Sequence, residues 1–356
     1  MSDDLEHALT AILKDHCTYD VVAASEHGLS VELWEQLSAG GFTGVGVPEE
    51  VGGSGGDLMD AAAVIRVAAR YAAPLPLVES ILEVGGLCAA TGLDFPTGPT
   101  AVAIGTRDAP IRAARTGSDW TFTGGAERVP WARNVEHLIV VGRSAEGEDV
   151  AGLVERDACT AQPGLNLADE PRDAVTLEGV TAAPGRAVIM PPSEVDALGV
   201  RAALGRSLQM AGALEGALAL SIQYANERVQ FGRPIGRFQA VQHLIAALAG
   251  ETAAAVAVSD AAARAVLAGG GELRVAAAKI RTGMAAGEGA RLAHQVHGAI
   301  GYTREHRLQH LTRRLWSWRD EHGSEQMWAT RLGHEFASSH ADGVWDLVTT
   351  VTGSTA

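Results

Sequence analysis

Apolar positions at Ala211, Leu214, Leu218, Ile222 and Ala225 step along the chain by three and four, the period of a helix that buries one face. That spacing predicts a helix with Arg228 near its C-terminal end. Gly232, Pro234 and Gly236 interrupt the pattern with a short rigid turn, and helical spacing resumes from Phe238 to Leu248, so an antiparallel helix pair is expected. More Ala-rich helices fill the stretch between Arg206 and Ala290, where small side chains let helices approach closely. Near the start, Val31 to Ala39 reads as a helix ended by Gly40 and Gly41. The turn-rich VPEEVGGSGGD, residues 47–57, follows, and then a helix from Leu58 to Tyr71. From about Thr100 to Met190 the period changes. WTFTGGAERV, HLIVVGR and DAVTLEGV are short β-rich runs separated by Gly, Asp and Pro, the pattern of strands in a small sheet or barrel. The chain thus reads as α+β in three parts: helical over 1–98, a β domain over 99–195, and a helical bundle over 196–356.

Composition narrows the partners. A chain of 356 residues with 47% hydrophobic and 20% charged residues has ample length for a core and the make-up of a soluble globular protein. A net charge of -15 with no basic run argues against binding a phosphate backbone, so nucleic acid is not expected as a partner. Cys17, Cys88 and Cys159 are widely spaced and odd in number, which suggests buried or free thiols in a reducing compartment. MSDDLEH lacks a basic stretch before an apolar one and does not read as a secretory signal. Glu215, Glu251, Asp260 and Arg264 interrupt the Ala-rich helices, so no membrane span is expected and the cytoplasm is the default location. No metal-ligand pattern stands out.

The stretch richest in candidate chemistry runs from Glu227 to His243, ERVQFGRPIGRFQAVQH. Arg228 and Phe231 lie three apart, so a guanidinium and an aromatic ring can share an exposed corner, an arrangement suited to a phosphate beside an adenine. The plainer alternative is an Arg paired to a surface carboxylate and a Phe plugging the hairpin. The glycines of residues 47–57 precede a helix, but no βαβ unit frames them, so a structural turn is the better reading than a phosphate cradle. Trp316, Trp318 and Trp328 read as core or interface anchors.

ERVQFGRPIGRFQ resembles the R-x-x-F-G-x-P-I-x-x-F-Q signature of the acyl-CoA dehydrogenase family, and QVHGAIGYT resembles its Q-x-x-G-G-x-G-Y-T segment. Trp34, Pro48, Glu49, Gly52 and Gly53 are similar to the family's L-W-x-x-L and P-E-E-Y-G-G-x-G. The resemblance implies an N-terminal helical domain, a middle β-barrel-like domain and a C-terminal four-helix bundle. It also implies FAD as cofactor, an acyl-CoA substrate, an electron-transfer flavoprotein-like acceptor and a tetrameric assembly. Arg228, Phe231, Gln239, Gln295, Gly298, Gly301 and Ser324 are the positions it assigns to the ADP end of an FAD whose flavin ring lies in a neighbouring subunit.

The chain departs from the family where its own flavin pocket and base would stand. Between Ala101 and Ile111 there is no Thr-Glu-Pro, and Gly117, Ser118 and Asp119 read as a hairpin turn. Arg128 falls at the position of the flavin-facing Trp and Pro130 at that of the Thr; a guanidinium is no apolar wall, and Pro has no donor. Desaturation requires a base over the α-carbon in a site closed to water. The family's late Glu position holds His322, with Glu321 one residue earlier, and the early position holds Ala202 or Ala203. Glu321 serves only if the loop slips by one residue, and His322 only as a neutral imidazole. Otherwise Glu321 is solvated or paired to Arg313, Arg314 or Arg319. The expectation is therefore a subunit of a hetero-oligomeric acyl-CoA dehydrogenase, with a homologous partner subunit carrying the flavin pocket and the base. Steroid side-chain or fatty acid β-oxidation is the implied setting. A homo-oligomeric enzyme using Glu321 or His322, and a non-catalytic scaffold of the same fold, stay open.

Overall fold

The computed structural model describes residues 3–338, so the start of the first part and the end of the last, as read from the sequence, lie outside the described residues. The chain forms two compact units and passes between them inside two helices, at Val64/Ile65 and Ala202/Ala203, and once more just after α4, at Ala72/Ala73.

One unit holds α1 (Asp3–His16), α2 (Tyr19–Ala24), α3 (Val31–Ala39), the first turns of α4 (Leu58–Arg70), α5 (Gly85–Thr91) and an eight-stranded sheet. α3 begins where the Ser30 hydroxyl accepts the Leu33 amide, and it buries Leu33, Trp34 and Leu37 at the three- and four-residue period. The glycine-rich segment before α4 is filled by its own chain. A Cβ on Gly53 would lie 2.2 Å from the Val47 carbonyl oxygen, which is why glycine stands there. Asp57 then caps α4 by accepting the Met59 amide at 2.7 Å.

The strands are β1 (Thr100–Ile104), β2 (Arg112–Thr116), β3 (Asp119–Pro130), β4 (His137–Arg143), β5 (Asp149–Glu155), β6 (Thr160–Gln162), β7 (Arg172–Thr181) and β8 (Ala187–Ile189). They lie in the order β6-β7-β3-β2-β4-β5-β8, with β1 parallel to β4. Gly117 and Ser118 form the tight turn joining β2 and β3, as expected, with Thr116 paired to Asp119. β4 is buried along almost its whole length because both its faces are covered. Leu138 and Val140 join a core with Phe122, Val150 and Leu177, while Ile139 and Val141 pack with Val84, Leu87, Cys88 and Leu198. All three cysteines are buried free thiols.

The second unit is a bundle of long helices: the rest of α6 (Glu194–Glu227), α7 (Gln239–Leu267), α8 (Glu272–His297), α9 (Leu308–Trp318) and α10 (Glu325–Ser338). A two-stranded hairpin, β9 (Val229–Gln230) and β10 (Arg233–Pro234), sits between α6 and α7. Close packing needs small residues here. A Cβ on Gly212 would lie 2.1 Å from the Arg66 carbonyl, and Ala255, Ala262, Ala276 and Ala285 are fully buried. Arg66 spans the gap to α7, donating to Asp260 at 2.7 Å. One expectation is corrected: α7 is long and apolar enough to cross a bilayer by length and composition. Within it Glu251 pairs with Arg281 and Asp260 with Arg66. Only 17% of the apolar window is buried within the chain.

Candidate functional site

Arg228 is the first residue beyond α6, its amide still donating to the Tyr224 carbonyl at 2.9 Å. The chain then folds back in register, Val229 opposite Pro234 and Gln230 opposite Arg233, which leaves Phe231 and Gly232 as a two-residue turn. Both turn residues are left-handed, with φ of 50° and 79°, as tight hairpins require. Glycine adopts that conformation freely, whereas phenylalanine is strained in it by ~1 kcal/mol or more. The strained ring is 92% exposed. Its edge meets Phe238 at 6.1 Å, and the Arg233 guanidinium lies 4.3 Å over the Phe238 ring. Ile235 donates to the Arg228 carbonyl and Gln242 to the Gly236 carbonyl, which stiffens the base of the arm. The Arg228 side chain is exposed and has no hydrogen-bond or ion-pair partner among the described residues. Gln239, the first residue of α7, is exposed as well.

The second motif closes α8. Gln295 faces out, while its neighbours His294, Val296 and His297 are buried. Gly298 follows with φ 63° and ψ -145°, a conformation open only to glycine, and a Cβ there would meet nothing within 4 Å. Gly301 is buried for a different reason, since its Cβ would press on His297 at 2.9 Å. Tyr224 stacks on His297 with ring centroids 4.7 Å apart, so the ends of α6 and α8 lie side by side. Both motifs therefore occupy one end of the bundle. The histidines beside them stay neutral near pH 7: burial pushes His297 down to about 4 and His310 down to about 3, the latter with help from Arg314 and neighbouring arginines.

The third location is the link from α9 to α10. Glu321 is 8% exposed and accepts from Arg206 Nε at 2.8 Å, while Arg206, 1% exposed, also donates to Gln209 at 2.7 Å. This partner lies 115 positions away in the chain, and proximity in sequence had pointed elsewhere. A carboxylate that already holds a guanidinium must give up that contact to take a proton. His322 has φ 51°, and its carbonyl accepts from Trp328 Nε1 at 2.9 Å. Ser324 caps α10, its hydroxyl accepting the Met327 amide at 3.4 Å. Ala202 and Ala203 are buried and carry no titratable group.

In the sheet unit, Arg128 sits at an irregularity in the β3–β7 pairing between Ala126 and Val129, with φ 56°, and is exposed. The loop after β1 folds onto itself: a Cβ on Gly105 would lie 2.6 Å from the Ala109 carbonyl. The ADP end of a dinucleotide fits the bundle end, which offers an unpaired cation, an exposed ring and a bare backbone at Gly298. The apolar wall of a flavin does not fit the segment around Arg128. Sequence reasoning missed two functional-looking residues, Arg206 and Lys279. A signal existed for Lys279, which lies at helical spacing from Val275, Ala276, Thr282 and Gly283, all buried.

Helical N-terminal elements, an eight-stranded sheet whose strand β4 is covered on both faces, and a long-helix bundle ending in these two motifs make up the architecture of a flavin-dependent acyl-thioester dehydrogenase. Residues 201–334 match the family described as acyl-CoA dehydrogenase, C-terminal domain, and residues 3–92 match acyl-CoA dehydrogenase, N-terminal domain. Acyl-CoA dehydrogenase IpdE2 of Mycobacterium tuberculosis is 32% identical over 309 residues, 85% of this chain and 84% of that protein. The protein of the same name from Mycolicibacterium smegmatis is 29% identical over 91% of this chain and 93% of its own length. The chain belongs to the acyl-CoA dehydrogenase family and is an oxidoreductase of that kind. Its fold matches a chain of the ChsE4-ChsE5 complex from Mycobacterium tuberculosis with TM-score 0.85 at 24% identity, covering 95% of this chain and 97% of that one. Butyryl-CoA dehydrogenase from Megasphaera elsdenii gives 0.82 at 17%, covering 95% and 99%.

Proposed function

We propose that this chain is one subunit of a hetero-oligomeric acyl-CoA dehydrogenase. It closes the ADP side of an FAD site through Arg228, Phe231, Gln239, Gln295, Gly298 and Gly301. Ser324, although assigned there by the resemblance, follows the turn held by Lys279, about 24 Å back along α8 from Gln295, and does not share that end. A homologous partner subunit supplies the flavin pocket, the acyl-CoA channel and the catalytic carboxylate. One contrast carries the reading. A strained phenylalanine, 92% exposed, and an arginine without a hydrogen-bond or ion-pair partner among the described residues belong to one short hairpin arm, whereas the corner where a base would stand is occupied by the buried Arg206–Glu321 pair. Such strain persists where a binding event uses it.

When bound, FAD supplies the hydride acceptor for α,β-desaturation. In this chain, Arg228 neutralises pyrophosphate charge, Phe231 offers a face to the adenine, and the bare Gly298 backbone allows close approach. Leu218, Ile222, Ala249, Ala253 and Val256 line an open apolar groove of about 540 Å³ between α6 and α7, a surface suited to a partner's helices. The similar ChsE4-ChsE5 structure is a complex by description, and the Tcur3481-Tcur3483 structure is described as a steroid acyl-CoA dehydrogenase. By that likeness we assign bulky steroid side-chain thioesters as the substrate class, an electron-transfer flavoprotein-like acceptor, and a cytoplasmic setting.

The test is the visible spectrum of the purified chain, alone and with a homologous subunit. Colourless alone and yellow in the complex is the expected result. Yellow alone, with a flavin bleached by acyl-CoA, would overturn it in favour of a self-contained site. In the complex, Arg228→Ala removes a charge-assisted contact of about 1.5–3 kcal/mol, so FAD retention should weaken roughly 10- to 100-fold. Unchanged flavin content would remove Arg228 from the site.

A further inference from the structure

The last turns of α6 and α8 are joined by aromatic rings. His294 and His297 lie three apart on α8, and both are buried. His297 stacks on Tyr224 of α6 with centroids 4.7 Å apart and planes 24° from parallel, and His306 lies across it at 4.7 Å. His306 also meets Tyr224 edge to face at 6.1 Å, so three chain segments close one cluster of rings. His297 donates from Nδ1 to the Ala293 carbonyl at 2.8 Å, since a carbonyl can only accept, and this sets the plane of its ring. His294 stacks on Tyr302 at 4.0 Å and on Trp316 at 5.6 Å, which ties the stretch after Gly298 to α9. Burial pushes all three imidazoles below the ordinary histidine range, so the cluster is uncharged near neutral pH.

We propose that Tyr224 and His297 are positioning residues for Arg228, their stack setting where the hairpin arm stands relative to the Gly298 turn. This rests on the nucleotide role given to Arg228 and Gly298 under the proposed function. In the last turn of α6 only Tyr224 carries a ring; Ala225 is buried but small, and Asn226 and Glu227 are exposed. At the tip of the arm Val229 and Phe231 are exposed as well, so side-chain burial does not hold it there. Main-chain contacts tie the arm to α6 instead. The Tyr224 carbonyl accepts the Arg228 amide at 2.9 Å, and the Arg228 carbonyl accepts the Ile235 amide at 2.8 Å. The chain returning from the arm runs so close to α6 that a Cβ on Gly236 would lie 3.1 Å from the Ala225 carbonyl. The arm therefore follows the last turn of α6, and that turn is fixed to α8 at Tyr224. On the other side of the stack, His297 immediately precedes Gly298. One pair of rings thus sets the separation of the cation from the bare backbone, and a pyrophosphate held by both binds more tightly when that separation is fixed beforehand.

The experiment uses the complex with a homologous subunit, stripped of FAD and titrated with it, beside hydrogen exchange in the chain alone. Tyr224→Leu removes the stack at a half-buried position and should bind FAD about fivefold more weakly, with turnover at saturating FAD within about twofold of wild type. Tyr224→Phe keeps the ring and should stay within about twofold of wild type in both. On an Arg228→Ala background, Tyr224→Leu should weaken binding by no more than about a further twofold, because the group it positions is gone. In the chain alone, the Arg228 and Ile235 amides should exchange about fivefold faster or more in Tyr224→Leu, with the middle of α8 as slow as in wild type. Tyr224→Leu binding FAD within about twofold of wild type, or losing about fivefold on both backgrounds, overturns the proposal. Tyr224→Phe binding as weakly as Tyr224→Leu also overturns it, since the hydroxyl and not the stack would then act. If Tyr224→Leu does not fold, His297→Leu removes the same stack from α8 and is read on the same terms. Arg228→Ala separates the layers: unchanged FAD binding there sinks the nucleotide site itself, whereas weaker binding there with Tyr224→Leu at the wild-type level sinks only the stack.

Discussion

Removing the Glu321 carboxylate separates stability from chemistry. Arg206 is 1% exposed and Glu321 8%, and their contact is a 2.8 Å hydrogen-bonded ion pair. Breaking one side of a buried pair costs about 3–5 kcal/mol, because the remaining charge has been taken out of water. Gln209 still accepts from Arg206 at 2.7 Å, which places Glu321→Ala near the lower end, about 3 kcal/mol. Glu321→Gln keeps an acceptor and should cost less, about 1–2 kcal/mol. Replacing both partners, Arg206→Met with Glu321→Leu, should recover most of the loss, because neither charge is then buried. Urea denaturation of the chain alone measures this, with the slope monitored to show that the transition keeps its character. A Glu321→Ala variant within about 0.5 kcal/mol of wild type would refute the buried-pair argument. In the assembled complex, turnover per bound flavin should change by no more than about twofold, whereas loss of a true base costs about 10²- to 10⁴-fold. A loss of that size with flavin content intact would make Glu321 the base and end the partner-borne reading.

Two further outcomes follow from the same geometry. Phe231→Gly relieves a left-handed phenylalanine that is 92% exposed, so the isolated chain should gain about 0.5–1 kcal/mol in denaturation even as the complex binds FAD more weakly; a loss of stability would show that the hairpin tip packs within the chain. Burial lowers His297 to about 4 and His310 to about 3, well below an unfolded histidine. The unfolded chain then binds more protons below about pH 6.5. Stability from these groups is therefore present above that pH and is lost as pH falls toward 4 and 3. Denaturation midpoints across that range should flatten in His310→Gln, and an unchanged slope would remove His310 from the account.

Local chemistry was legible along the chain wherever it repeats at a fixed period. The helix from Val31 to Ala39 begins and ends where its apolar spacing and its glycines put it, and HLIVVGR is a strand. VPEEVGGSGGD is a turn because Gly53 alone fits against Val47, and Gly117–Ser118 joins two strands. The two motifs at Arg228 and Gln295 were also legible, since fixed spacing at helix ends is a property of sequence. What the period cannot carry is the far partner of a charge. Glu321 meets Arg206 across 115 residues, and Lys279 meets carbonyls about 40 residues on, because helices packed side by side bring together residues that sequence separates. The same reason governs α7, whose carboxylates were read as breaks in an apolar run and instead find arginines on neighbouring helices. Sequence placed a ring and a cation near a corner. Only the tertiary structure made that corner a strained, exposed arm, since exposure depends on what the rest of the chain leaves uncovered.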